Sequence, residues 1–211
     1  MGKCHFANLL ISLGCLQVRP TAPFSYASGL KGPIYCDNRL VLGFPEKRKE
    51  VADGLAKLIS DSAIEYDAIA GLATAGIPHG AMVAERLEKP FIYIRAKAKG
   101  HGKGNQVEGH YSAGDRILMV EDLVNQASSL EVAVAGARDA GLVVAGLFSI
   151  VDYQSKVAAS VLQKLKLELN SLTNFEYILK ACSEQSICDE SGLELLKEWQ
   201  ADPVSWSERH S

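Results

Sequence analysis

The chain has 211 residues, 47% of them hydrophobic and 22% charged, with a formal net charge of −3. This is the composition of an ordinary globular protein and offers no basic excess to attract nucleic acid or an acidic membrane surface. Five cysteines (Cys4, Cys15, Cys36, Cys182, Cys188) form no CxxC pair and no Cys/His metal spacing, which points to reduced thiols in a cytoplasmic setting. No apolar run approaches the roughly 18 to 20 residues of a membrane span.

The first stretch, Phe6 to Cys15 after Lys3, has some look of a secretion signal. Asn8 and Ser12 interrupt it, and Phe6, Leu9, Leu10 and Leu13 recur at helical spacing, so the expectation is an amphipathic helix ending at Gly14. Ser28-Gly-Leu-Lys-Gly-Pro33 is turn chemistry leading into an extended segment, Ile34 to Arg39. Lys31, Tyr35, Asp37 and Arg39 bring more charge and ring here than an exposed edge requires. Pro45 opens a helix whose face is Val51, Leu55, Leu58 and Ile59. Tyr66 to Ala70 reads as a strand. Gly71-Leu-Ala-Thr-Ala-Gly-Ile-Pro78 then reads as a small-residue turn, with Pro78 in the first turn of a helix through Arg86. Such a turn lets backbone N–H groups close round an anion; it serves equally as a tight connection with no ligand.

Pro90 to Ile94 is a further strand, and residues 95–110 should be a surface loop with almost nothing to bury. Its one acid, Glu108, stands against Arg95, Lys97, Lys99 and Lys103, a balance that suits a lid over a polyanion as well as a solvated hairpin. Ile117 to Val120 is an uncharged apolar run, the pattern of a buried parallel strand. The reading ends that strand at the adjacent acids Glu121 and Asp122, follows them with a polar turn, Asn125 to Ser129, and begins a helix near Leu130. In open α/β sheets, ligands lie at the carboxyl ends of strands, and the free N–H groups of a helix start can meet an anion. Two carboxylates there would bind sugar hydroxyls or a metal ion, or would simply be solvated. Leu142 to Val151 is the next strand. Helices are expected over 158–167, 174–182 and 191–199, the last capped by Asp189 or Ser191 and ended by Pro203. The alternation implies an α/β fold with a mostly parallel twisted sheet flanked by helices.

Taken together, these segments resemble the type I phosphoribosyltransferases, and most closely the bacterial orotate phosphoribosyltransferase family. The 28–39 segment resembles that family's N-terminal hood motif, and 71–78 its pyrophosphate loop. Arg95-Ala-Lys-Ala-Lys-Gly-His-Gly102 resembles its flexible catalytic loop, and Val120-Glu-Asp-Leu-Val124 the start of its phosphoribosyl diphosphate motif. The similarity runs over nearly the whole chain. It implies one domain over 1–211, with a hood (1–45), a core (46–157) and a C-terminal helical part (158–211). It implies transfer of a phosphoribosyl group from phosphoribosyl diphosphate to orotate, a magnesium requirement, and a homodimer in which loop 95–104 serves the neighbouring site. Neither nucleic acid nor membrane is implied as a partner.

On this resemblance Glu121 and Asp122 hold the ribose hydroxyls and favour its cationic transition state. Magnesium reaches them only through the substrate, with no direct protein ligand. Ala73, Thr74, Ala75 and Gly76 receive the pyrophosphate. Arg95, Lys97, Lys99 and His101 close over it, with Lys99 and His101 catalytic beside the acids. Leu123, Val124, Asn125, Gln126, Ala127, Ser128 and Ser129 cradle the donor's phosphate, and Lys31, Tyr35 and Asn125 lie near the base. Two departures stand out. The family follows its acidic pair with a Ser/Thr- and glycine-rich loop, where this chain has Asn125-Gln-Ala-Ser-Ser129, and some members carry a lysine where Ala96 stands. The altered loop keeps a second reading open, a phosphoribosyltransferase-fold regulator that binds nucleotide or donor with weak turnover.

Overall fold

A computed structural model describes residues 2–26, 28–97 and 106–210. Its centre is a six-stranded sheet in the order β10-β9-β8-β5-β6-β7. The strands are β5 (Ala68–Leu72), β6 (Phe91–Ile94), β7 (Val107–Glu108), β8 (Arg116–Val124), β9 (Val143–Asp152) and β10 (Leu169–Asn174). All neighbours run parallel except β7, which is antiparallel to β6. The mostly parallel α/β expectation therefore holds. Ile117, Leu118, Met119 and Val120 are all 0% exposed, as a central strand covered on both faces demands.

Helices cover both faces of the sheet. On one side lie α1 (Lys3–Ser12), α2 (Pro45–Asp61), α3 (Gly76–Arg86), α6 (Phe175–Glu184) and α7 (Glu190–Ala201), around Leu10, Leu55, Phe148 and Trp199. On the other lie α4 (Ser128–Asp139) and α5 (Lys156–Leu165), around Ile117, Met119, Val134 and Leu147. Caps fix several starts: Asp189 accepts from the Gly192 N–H at 2.8 Å and Asn174 from the Tyr177 N–H at 3.2 Å. No helix among the described residues is long and apolar enough to cross a membrane.

Several boundaries differ from the sequence expectation. β8 does not stop at Val120. It continues through the acidic pair to Val124, because Glu121, Leu123 and Val124 pair with Ser149, Val151 and Asp152 of β9. Gly71 and Leu72 likewise belong to β5 rather than to the turn after it. α4 starts at Ser128, not near Leu130. Residues 107–108, expected as loop, form β7 by pairing with Tyr93 and Ile94. β10 was not anticipated, and it carries the sheet into the segment expected to be helical; its Ser171 and Thr173 are buried polar residues that mask a strand pattern. α7 stops at Ala201, just before Pro203 as expected, but Pro203 then opens a further helix, α8 (Pro203–Arg209), with Asp202 as its cap.

The N-terminal segment forms two small antiparallel pairs: β1 (Leu16–Val18) with β4 (Ile34–Cys36), and β2 (Phe24–Ser25) with β3 (Lys31–Gly32). The extended stretch expected over 34–39 stops at Cys36 and becomes a 3-10 turn over Asn38–Gly43. α8 fastens this hood from the far end of the chain, the Lys31 N–H donating to Ser207 Oγ at 2.8 Å.

Candidate active site

Two adjacent central strands, β5 and β8, each end in a turn that enters a helix at the same edge of the sheet. Between them lies an open hollow of about 350 Å³, lined by Ala73, Thr74, Ala75, Glu121, Asp122, Leu123 and Ser129, with Cys36, Asp37 and Arg39 from the hood side. The two acids and the two turns, far apart in sequence, meet there. A smaller hollow of about 110 Å³ continues past Leu123 to Val124, Asn125, Gln126, Ala127 and Ser129.

The first turn is shaped by packing. α3 presses on the sheet so closely that a Cβ at Gly76 would lie 2.3 Å from the Val120 carbonyl oxygen, so the helix start needs a residue without one. The Ala73–Thr74 peptide is cis. The Ala73 N–H is already committed, donating to the Ile94 carbonyl of β6 at 2.8 Å. Of the anticipated anion donors, those remaining are at Thr74, Ala75 and Gly76, where the helix start leaves N–H groups without intrahelical partners.

The second turn is shaped by backbone conformation. Ala127 stands at φ 58°, in the left-handed region, immediately before α4, and no side chain caps that helix. The turn is tied to the segment after β9: the Tyr153 N–H donates to the Val124 carbonyl at 2.9 Å, and Ser155 Oγ donates to the Asn125 carbonyl. Ser128 and Ser129 open α4 and are exposed, as is Gln126.

Glu121 and Asp122 are consecutive, and the Asp122 N–H donates to Glu121 Oε1 at 2.9 Å. Burial, and then the Asp122 carboxylate, hold the Glu121 carboxyl well above the ordinary range. A cation or ribose hydroxyls at this point would relieve that like-charge strain. Among the described residues no third acid, histidine or cysteine joins the pair to complete a metal cluster. Two hard carboxylates beside the place of the substrate's oxygens fit magnesium carried mainly by those oxygens and by water.

The residues expected near the base are divided between two clefts. Tyr35, half-open and tilted against Phe24, lines a cleft of about 160 Å³ with Cys36, Leu123, Asn125 and Tyr153. Lys31 lines a second cleft, of about 240 Å³, with Tyr26, Asn125, Gln126 and Trp199. Its ammonium donates to the His210 carbonyl at 3.2 Å. Asn125 borders both clefts. Arg95 leaves the carboxyl end of β6, but its guanidinium pairs with Glu108 at 3.5 Å and does not line the main hollow. Lys97 is exposed. Lys99 and His101 lie outside the described residues.

Asn38 and His79 were missed in the sequence, and Asp37 and Arg39 were singled out there without a role. Fully buried Asn38 donates from Nδ2 to the Asp122 carbonyl at 2.9 Å, tying hood to acidic pair. Arg39 and Asp37 form a two-bonded ion pair at 2.6 and 2.7 Å on the rim of the hollow. His79 lies buried behind it. Asp37-Asn-Arg39 was legible as an excess of polarity in an extended segment, but nothing local marked its partner.

Comparison with known proteins agrees with this geometry. The phosphoribosyl transferase domain model matches residues 45–178. An orotate phosphoribosyltransferase of Enterococcus faecalis is 41% identical over 200 residues, 95% of each chain. One from Bacillus pumilus is 40% identical over 205 residues, 97% of each chain. The crystal structure of orotate phosphoribosyltransferase from Aeropyrum pernix superposes with a TM-score of 0.71 at 28% identity, over 84% of this chain and 99% of that one.

Proposed function

The chain belongs to the phosphoribosyltransferase family, among the orotate phosphoribosyltransferases, and from that premise we propose how its residues share the work. The reaction is transfer of the 5-phosphoribosyl group from phosphoribosyl diphosphate to orotate, giving orotidine 5′-monophosphate and pyrophosphate, a step of pyrimidine synthesis. The observation that carries this reading is the acidic pair set between two strand-to-helix turns, in a chain about 40% identical to named transferases along its length. Those relatives weigh against a regulator without turnover.

The donor lies across the edge of the sheet. Its diphosphate meets the amides of Thr74, Ala75 and Gly76, and its 5′-phosphate meets the turn at 125–127 and the start of α4, with the Ser128 and Ser129 hydroxyls in reach of it. Glu121 and Asp122 accept from the ribose hydroxyls and favour the positive charge that grows on the sugar as the diphosphate departs. Glu121 and Asp122 would hold magnesium beside the donor through the substrate's own oxygens, and the ion would supply positive charge to the leaving diphosphate. Orotate stacks in the cleft beside Tyr35, with the Asn125 side chain at its edge and Lys31 adding positive potential. Lys99 and His101, with Arg95 and Lys97, form a basic cover over the departing pyrophosphate and keep out water that would hydrolyse the donor. The chain acts as one domain, in the cytoplasm, as a homodimer in which the 95–104 segment covers the partner's site.

The test is an incubation of the protein with magnesium, phosphoribosyl diphosphate and one base at a time: orotate, uracil, adenine or hypoxanthine. Loss of the orotate absorbance alone is the expected result. Consumption of a different base, or of none, overturns the reading.

A further inference from the structure

His79 is the fourth residue of α3, directly behind the first turn. Glycines on either side of it draw α3 onto the sheet: the Gly80 Cβ position is 3.0 Å from Gly71 Cα, and that of Gly76 meets Val120. His79 is 0% exposed. Burial lowers its pKa below the ordinary histidine value, opposed first by the Asp122 carboxylate and then by a weak hydrogen bond with the Asn38 backbone. Neither ring nitrogen makes a hydrogen bond of ordinary geometry with any described residue.

A buried polar group left without partners costs about 1 to 3 kcal/mol. Leucine would fill the same space without that cost, and the weak contact of the ring with the Asn38 backbone offsets only part of it in the ligand-free chain. A neutral imidazole carries one donor and one acceptor. Catalytic hydrogen bonds are often unformed in a ligand-free enzyme and tighten in the complex. Asn38, touching the same ring, already holds the main chain of Asp122 through its carbonyl.

We infer that His79 is a positioning residue for Asp122: in the donor-bound enzyme its ring N–H turns to the Asp122 carboxylate and fixes the orientation in which that carboxylate meets the ribose. α3 thus couples the pyrophosphate turn at its start to the sugar-binding acid on β8. This rests on the assignment of Asp122 to the ribose.

The experiment compares wild type with His79→Leu, His79→Asn and His79→Gln. His79→Leu should melt at or above the wild-type temperature, and its kcat should fall about 10- to 100-fold, the scale of a displaced catalytic group. Its KM for orotate should change less than about threefold, since the ring does not touch the base. One of the two amides should regain a large part of kcat, Asn if the Nδ1 position donates and Gln if the Nε2 position does. Wild-type kcat in His79→Leu, or equal impairment of all three variants in step with lower melting temperatures, would overturn the inference. A second measurement does not depend on turnover or on the folding of a variant. The ring nitrogens of 15N-histidine-labelled wild type are followed by NMR as magnesium and phosphoribosyl diphosphate are added, His79 being identified by the signal absent from whichever variant folds. A shift of that signal into the hydrogen-bonded range supports the inference, and an unmoved signal at saturating donor overturns it. A wild type that binds donor but consumes no orotate would sink the activity reading and leave the NMR result to judge His79.

Discussion

The two turns that flank the acidic pair, to which one donor is assigned above, are shaped by different physical routes. The turn at 73–75 is narrow because of what lies beneath it: Gly76 must approach the Val120 carbonyl more closely than any Cβ allows. The turn at 125–127 has no such neighbour. It holds a glutamine in solvent and an alanine at φ 58°, a conformation that costs a non-glycine residue roughly 1 to 2 kcal/mol. Ties from Tyr153 and Ser155 to the Val124 and Asn125 carbonyls hold it in place. The first turn is therefore intolerant of any added atom, whereas the second is strained and open to relief. A glycine can be required by packing or by dihedral angle, and here only the packing requirement is met by glycine.

Perturbing the carboxylate between the turns should have the largest effect, since it lines the hollow that both turns border. Asp122→Asn should lower turnover by about a hundredfold or more, the usual scale for one electrostatic group, with the melting temperature within a few degrees of wild type. Normal turnover would refute the assignment. Mixing this variant with Lys99→Ala should restore activity in heterodimers, because one of the two sites then has both wild-type parts; confirmed subunit exchange without recovery would rule out the shared loop.

The second turn can be sharpened by restoring what the family usually carries. Changing Asn125-Gln126-Ala127 to Ser-Thr-Gly should tighten phosphoribosyl diphosphate binding by roughly 10-fold or more, the scale of one added phosphate hydrogen bond; the strain at Ala127, already present without donor, is relieved in stability and not in affinity. Calorimetry showing equal donor affinity would mean that the present turn has found an equivalent geometry.

Single substitutions at the helix starts should then have opposite signs. Gly76→Ala should lower the melting temperature by several degrees, since overpacking against backbone costs about 1 to 3 kcal/mol. Ala127→Gly should leave it level or raise it slightly, the left-handed relief of about 1 to 2 kcal/mol being partly offset by glycine's entropy. The same sign for both would erase the contrast between the turns.

The smallest effect is a pH dependence. Because the folded Glu121 carboxyl is held well above its ordinary range by burial and by Asp122, the folded chain binds this proton more tightly than the unfolded chain. The Glu121 contribution to stability is present below the unfolded value, near about 4.3, and is lost as pH rises through the folded value. Glu121→Gln cannot lose a proton, so its melting temperature in the absence of donor should fall less steeply over that window. An identical slope in the two proteins would exclude the linkage.

Local pattern alone determined the alternation of strands and helices, the buried run Ile117 to Val120, the small-residue turn before α3 and the acidic pair, because side-chain periodicity and turn chemistry are properties of neighbours in the chain. Departure from the family's usual loop singled out 125–127, where Ala127 stands at positive φ. Only the tertiary structure decided how far β8 runs, since Glu121 to Val124 become strand by pairing with β9. The same holds for β10, whose Ser171 and Thr173 are buried by contacts that no local pattern contains. Convergence at the site was equally hidden: Asn38 reaches Asp122, and Lys31 reaches Ser207 and His210, across long separations in sequence. Periodicity reports which face of an element is apolar, but which polar residue meets which depends on the order and register of strands, and these are set by the packing of the whole sheet.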